Sequence, residues 1–140
     1  MNKPLFCIFL AVLAALMGCG PKANPAAEAT ALTVAQTWLA QVDAGQYGDS
    51  WDQAAQVFRG AVSRDQWIQV MQSTRAPLGT NLSRKLVTTQ YRTTLPGAPD
   101  GQYVVIIFAS SFQNKQSAVE TITPMLDKDG TWRVSGYYMR

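Results

Sequence analysis

The stretch 102–112 reads Gln-Tyr-Val-Val-Ile-Ile-Phe-Ala-Ser-Ser-Phe, and this run decides the fold. In a strand, alternate residues face opposite sides of the sheet, and this run is apolar on both. Tyr103, Val105 and Ile107 would lie on one face, and Val104, Ile106 and Phe108 on the other. A short apolar run that is rich in β-branched and aromatic residues is typical of a buried strand. We therefore predict a central strand over 102–112, in a sheet that is covered on both faces.

Three further strand patterns surround this run. Alternation that is rich in Thr, Val and Tyr predicts a strand over 82–94, and two more strands are expected over 116–126 and 131–139. The loop 95–101 holds two prolines and two glycines, which is typical of a turn. Pro124 has no backbone N–H, so it predicts a sheet edge or a bulge near the end of its strand. Together these patterns indicate a four-stranded antiparallel meander.

Helical spacing precedes the strands. Apolar residues at this spacing predict one helix over 26–44 and a second over 46–58. A third helix begins after Ser63, because Ser63 and Gln66 have the spacing of a capping box. Its buried stripe is expected to contain Trp67, Val70 and Met71. The predicted fold class is therefore α+β, with three N-terminal helices packed on the four-stranded antiparallel meander.

The first residues have the pattern of a secretory signal. Lys3 precedes an apolar run over 5–17, and these 13 residues are fewer than the about 20 that a bilayer-spanning helix needs. The run ends in Leu16-Met17-Gly18-Cys19, which resembles the lipobox of bacterial lipoproteins. That resemblance implies a lipoprotein signal peptide over 1–18. It also implies that Cys19 becomes the first residue of the mature chain and carries lipid, with acyl chains such as palmitate.

The mature chain would consist of a tether and one domain. Removing 18 of 140 residues leaves 122, enough for a single core. We assign 19–27 to a lipidated tether and 28–140 to one α+β domain. About eight extended residues reach roughly 25 Å, so the domain would stay close to the membrane. Gly20 rather than Asp follows Cys19, and the lipoprotein resemblance then implies an outer-membrane location that faces the periplasm.

Composition excludes several classes of site. The net charge is only +3 and Lys and Arg do not cluster, which argues against a nucleic-acid partner. The chain has no histidine, so His-dependent nucleophile activation and His-ligated metal sites are excluded. Its two cysteines are Cys7, which the signal peptide would remove, and Cys19. We therefore expect no disulfide, no metal and no cofactor in the mature domain.

Spaced aromatic and glycine motifs recur along the mature chain: Asp43-Ala44-Gly45-Gln46-Tyr47, Ser50-Trp51, Phe58, Trp67, Pro77-Leu78-Gly79, Leu95-Pro96-Gly97 and the run 129–138. Over about residues 31–139 they resemble an uncharacterised bacterial family, domain of unknown function 4019. The resemblance implies a secreted or lipid-anchored protein in which helices precede a sheet, related to cystatin-like and nuclear-transport-factor-like folds. It implies no activity and assigns no functional residue.

Glu120 is the strongest candidate for a chemical role. It is the acidic residue in the middle of a predicted strand, on the same face as apolar neighbours. A carboxylate on an apolar sheet face can have a raised pKa and act as an acid or base. The alternative is a structural role, either in a salt bridge to Arg84, Arg92 or Arg133 or simply exposed to solvent. Sequence alone favours this structural alternative.

The four tryptophans and the last turn could each have a functional or a structural role. The tryptophans could line a ligand pocket, with Trp132 as a speculative ligand-binding residue beside Glu120, but aromatics at helical spacing are more often core. They are Trp38, Trp51, Trp67 and Trp132. The turn 127–130 begins like a calcium loop and lacks its later ligands, so we interpret it as structural.

Three hypotheses for function follow. The first is a membrane-anchored envelope lipoprotein whose domain binds a protein or an apolar ligand without catalysis. The second is a small-molecule pocket or enzyme that uses Glu120. The third is a structural homodimer formed through an exposed sheet. The lipid anchor would make the membrane a partner in each case, and an envelope protein is the further partner expected for the first.

Overall fold

A computed structural model describes residues 22–140 of the chain. Its helices are α1 (Pro25–Asp43), α2 (Tyr47–Asp52), α3 (Gln56–Ala61) and α4 (Arg64–Thr74), followed by a 3-10 turn at Ala76–Leu78. Its strands are β1 (Asn81–Arg92), β2 (Tyr103–Phe112), β3 (Lys115–Leu126) and β4 (Trp132–Met139). The strands form one antiparallel sheet in the order β1-β2-β3-β4. The predicted α+β fold with a four-stranded meander is confirmed.

Helix α1 begins earlier than the sequence indicated. The side chain of Asn24 accepts a hydrogen bond from the N–H of Ala27, and Pro25 occupies the first helical position. Both features favour a helix start, because they satisfy or remove N–H groups that lack a partner inside the helix. The last three residues of the predicted tether are therefore helical. The signal segment and Cys19 lie outside the described residues.

The second predicted helix, 46–58, is in fact two short helices, so residues 22–140 form four α-helices rather than three. The chain is extended at Ala55, whose N–H donates to the carbonyl of Val134 in β4 at 2.8 Å. The next N–H, of Gln56, donates to the Asp127 carboxylate at 3.1 Å. These two N–H groups thus form hydrogen bonds to β4 and to the turn before it instead of bonds within a helix. Hydrophobic periodicity does not report such distant partners.

Helix α4 has the predicted start but a different buried face. Ser63 and Gln66 form both bonds of the capping box. Trp67 and Met71 are buried, whereas Val70 is 47% exposed, so its expected place in the buried stripe was wrong. Val70 instead lines an open cleft between α4 and β4.

The main core lies on one face of the sheet, where Val104, Ile106 and Phe108 of β2 pack against Trp38 and Leu39 of α1. On the opposite face Tyr103 is buried in a second, smaller cluster with Ala55 and Met125, whereas Val105 and Ile107 are partly buried. The helices contribute to the main cluster, so the predicted cover on both faces is found only at the Tyr103 end of the sheet.

Pro124 marks a bulge rather than an edge. It lies in β3, which pairs with strands on both sides. The register between β3 and β4 shifts between Thr123 and Pro124, leaving Ser135 as the extra residue of β4. Proline cannot donate to a ladder, so the irregularity falls where the N–H is missing.

Candidate functional site

An ion network joins the helices to the sheet through the buried Arg75 and Glu120 and the partly exposed Asp43 and Arg84. The Glu120 side chain is fully buried in β3. Arg84 of β1 donates to it through Nε at 2.7 Å and through Nη2 at 3.2 Å. The same guanidinium reaches Asp43 at the end of α1 through Nη1 at 2.7 Å. One arginine therefore bridges two carboxylates, and bidentate bonds of this type are among the strongest in proteins.

The remaining lone pairs of Glu120 are also used. The hydroxyls of Ser110 in β2 and Tyr137 in β4 each donate to the carboxylate at 2.5 Å. Arg84 comes from β1 and Glu120 itself from β3, so side chains from all four strands meet at this buried carboxylate. A buried carboxylate is tolerated only when it is paired and hydrogen-bonded, and Glu120 meets both conditions.

Arg75 closes the network from the helical side. It is buried, donates through Nη2 to Asp43 at 3.1 Å, and donates through Nη1 to the carbonyl of Gly79 at 2.8 Å. Its guanidinium lies 4.5 Å from the ring centre of Phe112, a cation–π distance. The Nε atom of Arg75 is buried and has no hydrogen-bond partner.

The pKa values reflect this mutual neutralisation. Burial alone would raise the pKa of Asp43, but hydrogen bonds and charge from Arg84 and Arg75 outweigh it and lower that pKa. Burial would likewise lower the pKa of Arg84, while Asp43 and Glu120 raise it. For Tyr137, burial and then the Glu120 charge both raise the pKa. The charged Asp43 carboxylate and the neutral Tyr137 phenol are thus the stable forms at neutral pH.

Sequence reasoning found half of this network. It offered three arginines as partners of Glu120, and the structure selects Arg84. Asp43 and Arg75 were not singled out, although Asp43 carried a usable signal. It ends α1, where the helix dipole disfavours a carboxylate, so an acid at that position needs a cation nearby.

The other two candidate regions lie apart from Glu120. Trp132 lines a cleft of about 300 Å³ together with Val34, Trp38 and Gln41, whose Oε1 is buried and unpartnered. Glu120 is not part of that cleft, so the structure does not bring Glu120 and Trp132 into one pocket. Trp38 and Trp67 are buried core residues with satisfied indole N–H groups, as the core prediction expected.

The two aspartates of the turn after β3 accept hydrogen bonds from groups of the same chain. Asp127 accepts from the N–H of Gln56 and from Arg133, and Asp129 accepts from both Nη atoms of Arg133 at 2.8 Å. Hydrogen bonds from Arg133 lower the pKa of Asp129. Within residues 22–140 no group of three or more Cys, His, Asp or Glu residues is placed to hold a metal ion.

A cleft of about 360 Å³ lies between α4 and the end of β4, and we name it the α4–β4 cleft. Its walls are largely apolar and include Trp67, Val70, Met71, Leu78 and Tyr137. Pockets of about 300–1,000 Å³ with apolar walls and a few polar groups are the usual sites of ligand binding.

Three cationic side chains also line this cleft, and no acidic side chain does. They are Arg75, Lys115 and Arg140. Arg75 also belongs to the ion network, where its ion pair with Asp43 fixes its position. Sequence reasoning missed the cleft, because its two walls are more than sixty residues apart and Val70 was assigned to the core.

The comparisons give a family and no activity. A family model described as a protein of unknown function (DUF4019) matches residues 34–137, so the chain belongs to this family. Neither the curated proteins nor the solved structures contain a match. Among the described helices, none has the length and apolar character required to cross a bilayer.

Replacing Glu120 by glutamine tests the weight of the buried network. We expect Glu120→Gln to lower the free energy of unfolding by roughly 3 kcal/mol, because it removes the buried negative charge that accepts from Arg84, Ser110 and Tyr137 and leaves Arg84 with Asp43 alone. Urea denaturation followed by tryptophan fluorescence measures this change. The matched control is Asp52→Asn, which breaks the exposed Asp52–Arg64 pair and should cost far less, because solvent screens the two charges. Equal costs for the two variants would contradict the structural role of Glu120.

Proposed function

We propose that this chain is a membrane-anchored bacterial envelope lipoprotein whose domain is a non-enzymatic binding module, with the α4–β4 cleft as its binding surface. The observation that carries the proposal is the composition of that cleft. It combines apolar walls with cationic side chains and has no acidic side chain on its lining. We place the protein at the outer membrane, facing the periplasm.

The anchor is supported by the sequence ahead of the described residues. The charged residue, the apolar run and Gly18-Cys19 together have the order of a lipoprotein signal. Helix α1 begins at Pro25, so only five residues separate it from Cys19. At about 3.3–3.6 Å per residue that spacer is short, and it would hold the domain against the membrane surface.

A cysteine exchange tests the anchor. We expect Cys19→Ala to abolish incorporation of labelled palmitate and to move the protein out of the detergent-rich phase in a phase-partition assay. The matched control is Cys7→Ala, which removes the other cysteine and should leave both readouts unchanged. A Cys19→Ala protein that still incorporates palmitate would contradict the proposed anchor.

A non-catalytic role is supported by the state of the buried groups. The carboxylate of Glu120 is fully buried and engaged by Arg84, Ser110 and Tyr137. General acid–base catalysis needs a titratable group within hydrogen-bond reach of a substrate proton. Glu120 lines neither the α4–β4 cleft nor the Trp132 cleft, so its network supports the fold rather than a reaction.

Two exposed valines provide a matched test of the binding surface. Val70 lines the α4–β4 cleft and is 47% exposed, whereas Val57 of α3 is 42% exposed and lies outside that cleft. A photoreactive p-benzoylphenylalanine at position 70 of the full-length, lipidated chain should form a defined adduct in intact cells on irradiation. The same group at position 57 should not. Equal yields at both positions, or no adduct at position 70, would contradict a binding role for the cleft.

A further inference from the structure

We propose that the α4–β4 cleft takes an extended, acidic segment of polypeptide that adds to the sheet as a fifth strand beside β4. This inference rests on the proposed binding function and names the class of ligand. Strand addition uses main-chain hydrogen bonds for affinity and side-chain pockets for specificity. The structure supplies a free strand edge, apolar walls and a matching charge at this place.

The free edge follows from the register of β3 and β4. Arg140 and Val119 exchange both backbone hydrogen bonds, at 2.8 and 3.1 Å. In an antiparallel ladder such pairs alternate with pairs whose N–H and C=O groups point away from each other. The backbone N–H and C=O groups of Tyr137 and Met139 therefore point away from β3, to the outer side of β4. Both residues line the α4–β4 cleft.

The other half of the same edge is already protected. The carbonyl of Val134 accepts from the N–H of Ala55, and Ser135 forms the bulge next to it. Proteins commonly protect exposed edges with covering segments and bulges, since an open edge invites pairing with another chain. Here the covering ends before Tyr137, which leaves the unprotected part of the edge inside the cleft.

The charges in the cleft select the kind of strand. Lys115 and Arg140 form no ion pair within residues 22–140. No acidic side chain lines the cleft. Complementary charges at an interface favour the matching partner and disfavour like charge. An acidic strand therefore fits, whereas a second copy of β4 would bring the same cations to the same edge.

The test uses synthetic ten-residue peptides and the full-length, lipidated protein in detergent micelles. One peptide alternates valine with glutamate, and another alternates valine with lysine. Two analogues of the acidic peptide carry N-methyl groups, one on the valines only and one on the glutamates only. Since alternate residues of a strand present their N–H groups to opposite edges, each analogue blocks one edge of the peptide.

We expect the acidic peptide to bind at least tenfold more tightly than the lysine peptide. One N-methylated analogue should lose at least tenfold in affinity while the other retains it. The backbone amides of Tyr137 and Met139 should become protected from hydrogen exchange on binding. Lys115→Glu should reduce the preference for the acidic peptide, whereas Lys85→Glu, on the exposed surface of β1 at the far edge of the sheet, should not.

Three results would overturn the inference. One is equal binding of both N-methylated analogues, which excludes pairing through one edge. Another is binding of decanoate with no binding of any peptide, which leaves a binding module but makes its ligand an apolar anion. The last is a concentration-dependent dimer with the same amides protected, which makes the occupant a second copy. Absence of an adduct at position 70 is the separate result that removes the proposed function itself.

Discussion

Two carboxylates and two guanidiniums, largely withdrawn from water, hold the helical layer on the sheet. Arg84 lies between Glu120 of β3 and Asp43 of α1, and Arg75 supports Asp43 from beyond the end of α4. Burying any one of these charges alone would cost several kcal/mol. Because each is paired, the cost is offset only when α1, α4 and β3 occupy these relative positions. The network therefore constrains geometry more than it adds net stability.

This constraint also shapes the cleft. Arg75 is fixed by Asp43 and by the carbonyl of Gly79, and its buried guanidinium lies over Phe112. Tyr137 is fixed by its bond to Glu120 and contacts Trp38 in the core. Both residues then line the α4–β4 cleft from the inside. A wall held by buried polar bonds is pre-organised, which reduces the entropy that a ligand must lose on binding.

The sequence predicts the regular elements well and the relations between distant elements poorly. The capping box at Ser63 and Gln66 and the strand composition of β1 are local signals, and the helix start and the strand that they predict are both confirmed. The break at Ala55 depends on a bond to Val134, about eighty residues away, and no local pattern reports it. The same reason explains Val70, whose exposure depends on where α4 lies relative to β4. Glu120 was found because a mid-strand acid conflicts with its apolar neighbours, and a local conflict of this kind is visible in sequence.

A double-mutant cycle between Asp43 and Glu120 tests the central claim most directly. The two carboxylates lie on different elements and interact through Arg84. If the network acts as one unit, the effects of Asp43→Asn and Glu120→Gln on the free energy of unfolding will be non-additive by about 0.5–3 kcal/mol. Asp129→Asn, which removes an acid outside the network, should be additive with Glu120→Gln. Additivity of the Asp43 and Glu120 variants to within about 0.5 kcal/mol would contradict the account.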